Sequence, residues 1–181
     1  MDDIFAPDTF KKVFLSYFWK WGAVWGVLMI LIVTFIVKLN VVSVESQINS
    51  NGIATGRFAF GNVAMGVLTG YGVFGSAVVY AFAILAMSPV QAVGVIAIGG
   101  INAGGIIAIG TNAFGIIAIG GNAYGIIAIG PHTWGIYTLS NSEFGKGRYR
   151  FSPHHQDDQA VKFFTHFMPK LKSAFSSTYN G

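Results

Sequence analysis

The chain has 181 residues, 53% of them hydrophobic and only 10% charged, whereas a soluble domain carries about 25% charged residues; the length allows one domain with appendages and the balance indicates a membrane protein. Cysteine is absent, which excludes disulfides, thiolate catalysis and Cys-ligated metal or iron–sulfur sites. The net charge of +4 comes from clusters at the two ends and has no aromatic–basic interleaving, so it indicates contact with anionic membrane lipid and not with nucleic acid.

Residues 1–8 form a short acidic lead, and Asp8 after Pro7 is placed to cap a helix that begins near Thr9. Phe10, Val13, Phe14, Tyr17, Phe18 and Trp21 alternate with Lys11, Lys12 and Lys20, the mixture expected where a helix enters the headgroup layer. Residues 21–37 then carry no charge, and Lys38 closes the run. At ~1.5 Å per residue this run and its aromatic flank cross a ~30 Å hydrocarbon core, so segment 1–40 is expected to be an amphipathic lead and one transmembrane helix. Three acids precede the apolar run and no small-residue cleavage site follows it, so no cleavable signal is expected. The lysine excess ahead of the helix places the N-terminus in the cytoplasm and residues 43–51 on the opposite side.

Residues 40–55 are polar, and the turn signal NSNG at 49–52 breaks any helix. Segment 41–150 is organised by a repeat, GIIAIGTNAF at 105–114, GIIAIGGNAY at 115–124 and GIIAIGPHTW at 125–134, whose unit is the pentad G-x-x-A-apolar. An α-helix turns about 100° per residue, so a five-residue step scatters the glycines around its surface and leaves the period unexplained. Short strands separated by glycine corners do explain it: glycine gives tight corners that are expected to use φ > 0, and β-branched isoleucine suits the flanking strand positions. Stacked corners of this kind make a β-solenoid; two closely packed glycine-rich transmembrane helices are the competing arrangement. The repeat starts in GRFAF at 56–60 and GNVAM at 61–65, and blurs over 66–93. There two readings stay open, more solenoid or a second transmembrane helix over 66–88 stopped by Pro89. Gly99 and Gly100 add one residue to the phase, as a bulge at a corner does.

The pentad resembles the pentapeptide-repeat proteins, with Ala108-Ile109-Gly110-Thr111-Asn112 and Ala113-Phe114-Gly115-Ile116-Ile117 as matching rows, and the resemblance covers the repeat region only. It implies a right-handed square solenoid with four five-residue sides per coil. That family usually places Asn or Asp and then a central Leu or Phe after the small residue, whereas this chain has the apolar residue at once and then glycine. A ten-residue coil with two sides is the alternative. Wound at twenty residues per coil, 51–147 makes roughly five coils at ~4.8 Å, about 24 Å, close to the hydrocarbon thickness. No Asp, Glu, Lys or Arg occurs between Arg57 and Glu143, and a solenoid satisfies its backbone from coil to coil except at its ends, so a spanning solenoid is compatible with lipid. The other placement is a second helix at 66–88 followed by a solenoid lying on the inner leaflet.

After Trp134 the pentads turn polar, and Glu143, Lys146, Arg148 and Arg150 mark a capping end for the stack. Segment 151–181 is expected to be a basic amphipathic helix. Ser152-Pro153 opens it, Asp157 and Asp158 lie in its first turns, and Ala160, Phe164, Phe167, Leu171 and Phe175 share one face with Lys162, Lys170 and Lys172 elsewhere. Pro169 should kink or divide it. A chain that returns across the bilayer brings this basic tail to the cytoplasmic side as well.

No catalytic, cofactor-binding or metal-ligating residue is assigned. His154, His155, Asp157, Asp158 and His166 are suitable ligand types, but their spacing fits no tight coordination shell. His132 takes the place of Asn102, Asn112 and Asn122 in the repeat and reads as a member of an Asn ladder. The glycines lack the Lys-Ser/Thr of a phosphate loop. Phe114, Tyr124, Trp134 and Phe144 recur every ten residues as an aromatic stripe, a surface for lipid, a partner protein or a pigment-like ligand. The expectation is a membrane α+β protein, an N-terminal transmembrane helix plus β-solenoid, serving without enzymatic activity as a scaffold or accessory subunit of a larger membrane-protein complex. The alternative is a small transport or permeation component lined by His132 and the Asn row.

Overall fold

The structure, a computed structural model, describes residues 5–40 and 47–175. Helix α1 (Pro7–Asn40) leads into strands β1 (Gln47–Ala77), β2 (Tyr80–Ser88), β3 (Gln91–Gly99), β4 (Asn102–Ile129), β5 (His132–Leu139), β6 (Lys146–Ser152) and β7 (His155–Gln156). Helix α2 (Asp158–Phe167) and a 3-10 turn (Pro169–Ala174) follow. Each strand from β1 to β6 pairs in parallel with the next. Parallel neighbours joined without a crossover helix require the chain to wind around an axis, and the result is a β-solenoid.

The register sets the coil. Thr69 lies beside Tyr80, Tyr80 beside Gln91, Gln91 beside Asn102, Asn122 beside His132 and Trp134 beside Lys146, so a coil holds ten to twelve residues. The shorter, two-sided coil is therefore the one that forms, and the twenty-residue square is not. Its cause is visible inside: Ala108 and Ala113, five residues apart, are both fully buried, as are Ala118, Ala123 and Ala128. Through the middle of the stack each side of a coil turns one alanine inward, and their methyl groups fill the interior there. The column Gly61, Gly72, Ala83, Gly94, Gly105, Gly115, Gly125, Gly135, Gly147 counts nine rungs. At ~4.8 Å per step the stack rises about 38 Å, taller than the 24 Å that twenty-residue coils would give.

The glycines are explained by space and not by φ. Among the described residues only Gly56 has positive φ, at 140°, so the expected left-handed corners are absent. A Cβ on Gly94, Gly105, Gly115 or Gly125 would instead overlap the carbonyl oxygen of Ala83, Gly94, Gly105 or Gly115 in the coil before. Residues 66–88 lie in β1 and β2, with a bend at 78–79 between them, and wind as solenoid; the second-helix alternative does not form. The coil here is eleven residues long, which is why the ten-residue pattern blurs.

The last coil is capped. Phe10 and Phe14 of α1, Leu139, Phe151, Phe164 of α2, and Leu171 form one buried cluster over it. The ends of the described chain close together there: the Ala6 N–H donates to the Ala174 carbonyl at 2.9 Å, and the Phe5 and Phe175 rings lie 5.2 Å apart. The C-terminal helix is shorter than the sequence suggests. Residues 151–156 are strand and a tight antiparallel turn, the helix starts at Asp158, and Pro169 divides it from the 3-10 turn. Ala160, Phe164 and Leu171 do face inward, but Phe167 is exposed. From the cap α1 runs back along the solenoid to β1. Its 34 residues extend about 51 Å at ~1.5 Å each. It is the one helix among the described residues long and apolar enough to cross a membrane, and 6% of its apolar window is buried.

Candidate functional site

Outside the alanine core each coil presents two faces. One is aliphatic, with Ile96, Ile107 and Leu85 in register and Tyr137 beside Tyr149 at its capped end; Tyr137 and Tyr149 there pack against the cluster shared with α1 and α2. The other face carries two ladders. Asn112 Nδ2 donates to Asn102 Oδ1 at 3.1 Å, and Asn122 Nδ2 donates to Asn112 Oδ1 at 2.8 Å. Amide ladders of this type satisfy polar side chains on the repeat itself and pin the coils in register. Gln91 precedes the column and His132 continues it, as the repeat indicates.

Beside the Asn ladder runs the aromatic one. Phe114 stacks on Tyr124 at 4.8 Å and Tyr124 on Trp134 at 4.5 Å, with ring planes within 6° and 4°. Phe144 is not its fourth member. The last coil has two extra residues, so Lys146 takes the rung after Trp134, and Phe144 lies instead against His132 at 5.2 Å. Sequence reasoning also missed that the column continues upward: Phe60 stacks on Tyr71 at 5.0 Å, and Tyr71 is beside Phe82. Their eleven-residue spacing was the available signal. Between Phe82 and Phe114 the column holds Val93 and Gly104.

A row of exposed β-branched residues, Val73, Ile84, Val95, Ile106, Ile116, Ile126 and Ile136, runs parallel to the aromatic column across the glycine rungs. The uncharged run ends with Arg57, four residues ahead of Gly61, and Glu143, four ahead of Gly147, so charge lies at the two ends of the stack. At the capped end His154 Nε2 lies 3.4 Å from Glu143, and His155 Nε2 3.2 Å from Asp157. Asp157 Oδ2 also accepts the Arg150 N–H at 2.7 Å, tying the last strand to the start of α2. His166 packs edge-on against Phe167, so the five His and Asp residues of this segment do not converge.

Where the core approaches the cap it turns polar. Thr133 and Thr138 replace alanine on the last inward positions, and Arg150 occupies the rung after Thr138. Ser140 closes the second corner, donating to the Pro131 carbonyl at 2.7 Å and accepting the Ser142 N–H at 3.1 Å. Ser88 does the same at a mid-stack corner, donating to Val79 at 3.0 Å and accepting from Val90 and Gln91. These hydroxyls end or bend the glycine columns. No family model, curated protein or solved structure matches the chain.

Proposed function

We propose that the protein is an integral-membrane scaffold or accessory subunit without enzymatic activity, in which solenoid and α1 cross the bilayer side by side. The observation that carries this reading is the surface. Val73, Phe82, Ile84, Phe114, Ile116 and Ile136 on the solenoid, and Trp21, Val24, Ile30 and Leu31 on α1, are all exposed. A continuous apolar surface of this kind on a chain surrounded by water is an aggregation hazard, and in lipid it is a solvated surface. The ~38 Å stack lies between the ~30 Å hydrocarbon core and the ~40–45 Å bilayer including headgroups. Charges at both ends and none between agree with that height.

The cap supports a topology for this reading. Phe5 and Phe175 are neighbours, so both ends of the described chain lie on one side with Lys11, Lys12, Lys162, Lys170 and Lys172, the side the positive-inside rule makes cytoplasmic. Phe10, fully buried in the cap, supports α1 as a permanent part of the fold instead of a cleaved leader. A pentapeptide-repeat-like solenoid belongs to the same reading, wound in two-sided coils instead of that family's square ones. The alanine-filled interior leaves no lumen and favours a scaffold over a permeation component. Copurification from native membranes tests it: stoichiometric partner subunits are expected, and a chain that emerges alone from mild detergent overturns the scaffold role.

A further inference from the structure

The aromatic column is interrupted at mid-height. Phe114, Tyr124 and Trp134 form a stack on one side of the break. Phe60, Tyr71 and Phe82 continue the column on the other side, with centroid separations of 5.0 and 6.2 Å. The two rungs between, Val93 and Gly104, carry no ring. Nothing in the backbone demands glycine at 104. A Cβ there meets only Val93 Cγ2 at 3.9 Å, and its φ is not positive, whereas at the neighbouring Gly94 and Gly105 a Cβ would overlap a carbonyl. Gly104 also lies at one end of an open depression of about 560 Å³ that runs over the rungs from Gly72 to Gly105, between Phe82 and Val93 on one side and Ile84, Val95 and Ile106 on the other, with no charged or hydrogen-bonding side chain in its lining. Phe114, the end ring of its stack, is 52% exposed where Tyr124, with a ring on each side, is 36% exposed.

We propose that the gap at Gly104 is a binding slot for a flat, uncharged, conjugated ring system that takes the place of the missing ring and stacks on Phe114. Val93 and Phe114 are two rungs apart, about 9.6 Å at ~4.8 Å per step, which leaves one layer of aromatic thickness between them. Ile106 flanks the layer, and Gly105 beside it gives a flat floor. A charged or strongly hydrogen-bonding ligand would lose its hydration there without compensation, which restricts the ligand to hydrocarbon character in the buried part. Gly104 is on the fifth of nine rungs, so a lipid-dissolved ligand reaches it from the bilayer interior if the stack spans as proposed; the slot itself does not depend on that placement.

The test uses the full chain in detergent micelles with perylene, a planar and achiral hydrocarbon that shows circular dichroism in its visible band only when held in a chiral site. Wild type should induce a saturable band near one perylene per chain. Gly104→Phe should abolish it while the far-UV spectrum stays unchanged, since Phe, Tyr and Trp already occupy the three following rungs. If that variant does not fold, Gly104→Ile fills the same layer with a residue type the column accepts at Val93. Phe114→Leu should weaken binding several-fold, and Ile136→Ala should leave it unchanged. No induced band in wild type, a band retained when position 104 is filled, or displacement by hexadecane as effective as by anthracene, would overturn the proposal.

Discussion

The carbonyl oxygen of Gly105 occupies the place that a side chain on Gly115 would need. This relation repeats from rung to rung and makes the glycine column a packing requirement between coils, independent of backbone handedness. Gly115→Ala should therefore lower stability by about 2–3 kcal/mol through forced separation of the coils. Gly104→Ala, open in space, should be neutral or stabilising by about 0.4–1 kcal/mol through the unfolded chain. Ile116→Val, at an exposed site, should cost under about 1 kcal/mol. Thermal unfolding in detergent separates the three, and equal behaviour of Gly115→Ala and Gly104→Ala would remove the packing account.

The Asn ladder makes a second, independent contribution. Asn112 is its middle member, donating once and accepting once. Replacing it with alanine removes both bonds at a net cost of about 1–3 kcal/mol. Asn102→Ala, at the end of the described ladder bonds, loses one and should cost about half as much. A loss at Asn112 no larger than that at Asn102 would show that the ladder amides are not coupled through the column.

The cap ties α1 to the other end of the sequence. Phe10 has no exposed surface and its ring lies 4.8 Å from that of Phe151. Phe10→Ala should cost about 3–5 kcal/mol, the range for truncating a buried phenylalanine, and expose the last coil to proteolysis after Arg148 or Arg150. Mass spectrometry of the protein purified from its own membranes should find Phe10 retained. A mature chain starting beyond α1 would mean that the cap is completed differently.

Much of the architecture was legible because alanine and glycine recur with a fixed five-residue offset, a period that helices cannot use and stacked strands can. Coil length was not legible, since two pentads per coil and four per coil give the same pattern; the strand register, as in the pairing of Asn122 with His132, distinguishes them. Residues 66–88 were ambiguous because the coils there take eleven residues, so Tyr71 and Phe82 fall out of the ten-residue frame. The same cause misplaced Phe144, which two extra residues in the last turn move off the column to His132. The gap at Gly104 was invisible for a related reason: a glycine beside Gly105 reads as another corner until the space around each is compared.

The last prediction is topology. The cap brings Lys11 and Lys172 to one end of the molecule, and α1 carries Lys38 toward the other. Lys38, Val95 and Lys172 are all exposed, and the chain has no native cysteine to interfere. In Lys38→Cys, Val95→Cys and Lys172→Cys, an impermeant maleimide added to intact cells should label position 38 alone. After lysis without detergent position 172 should react as well, while Val95, at mid-height on the exposed ridge, stays silent until the bilayer is dissolved. Labelling at 172 but not 38 in intact cells would invert the orientation. Reaction at Val95 in lysed cells with membranes intact would place the solenoid in water on the leaflet surface, leaving α1 as the only spanning element.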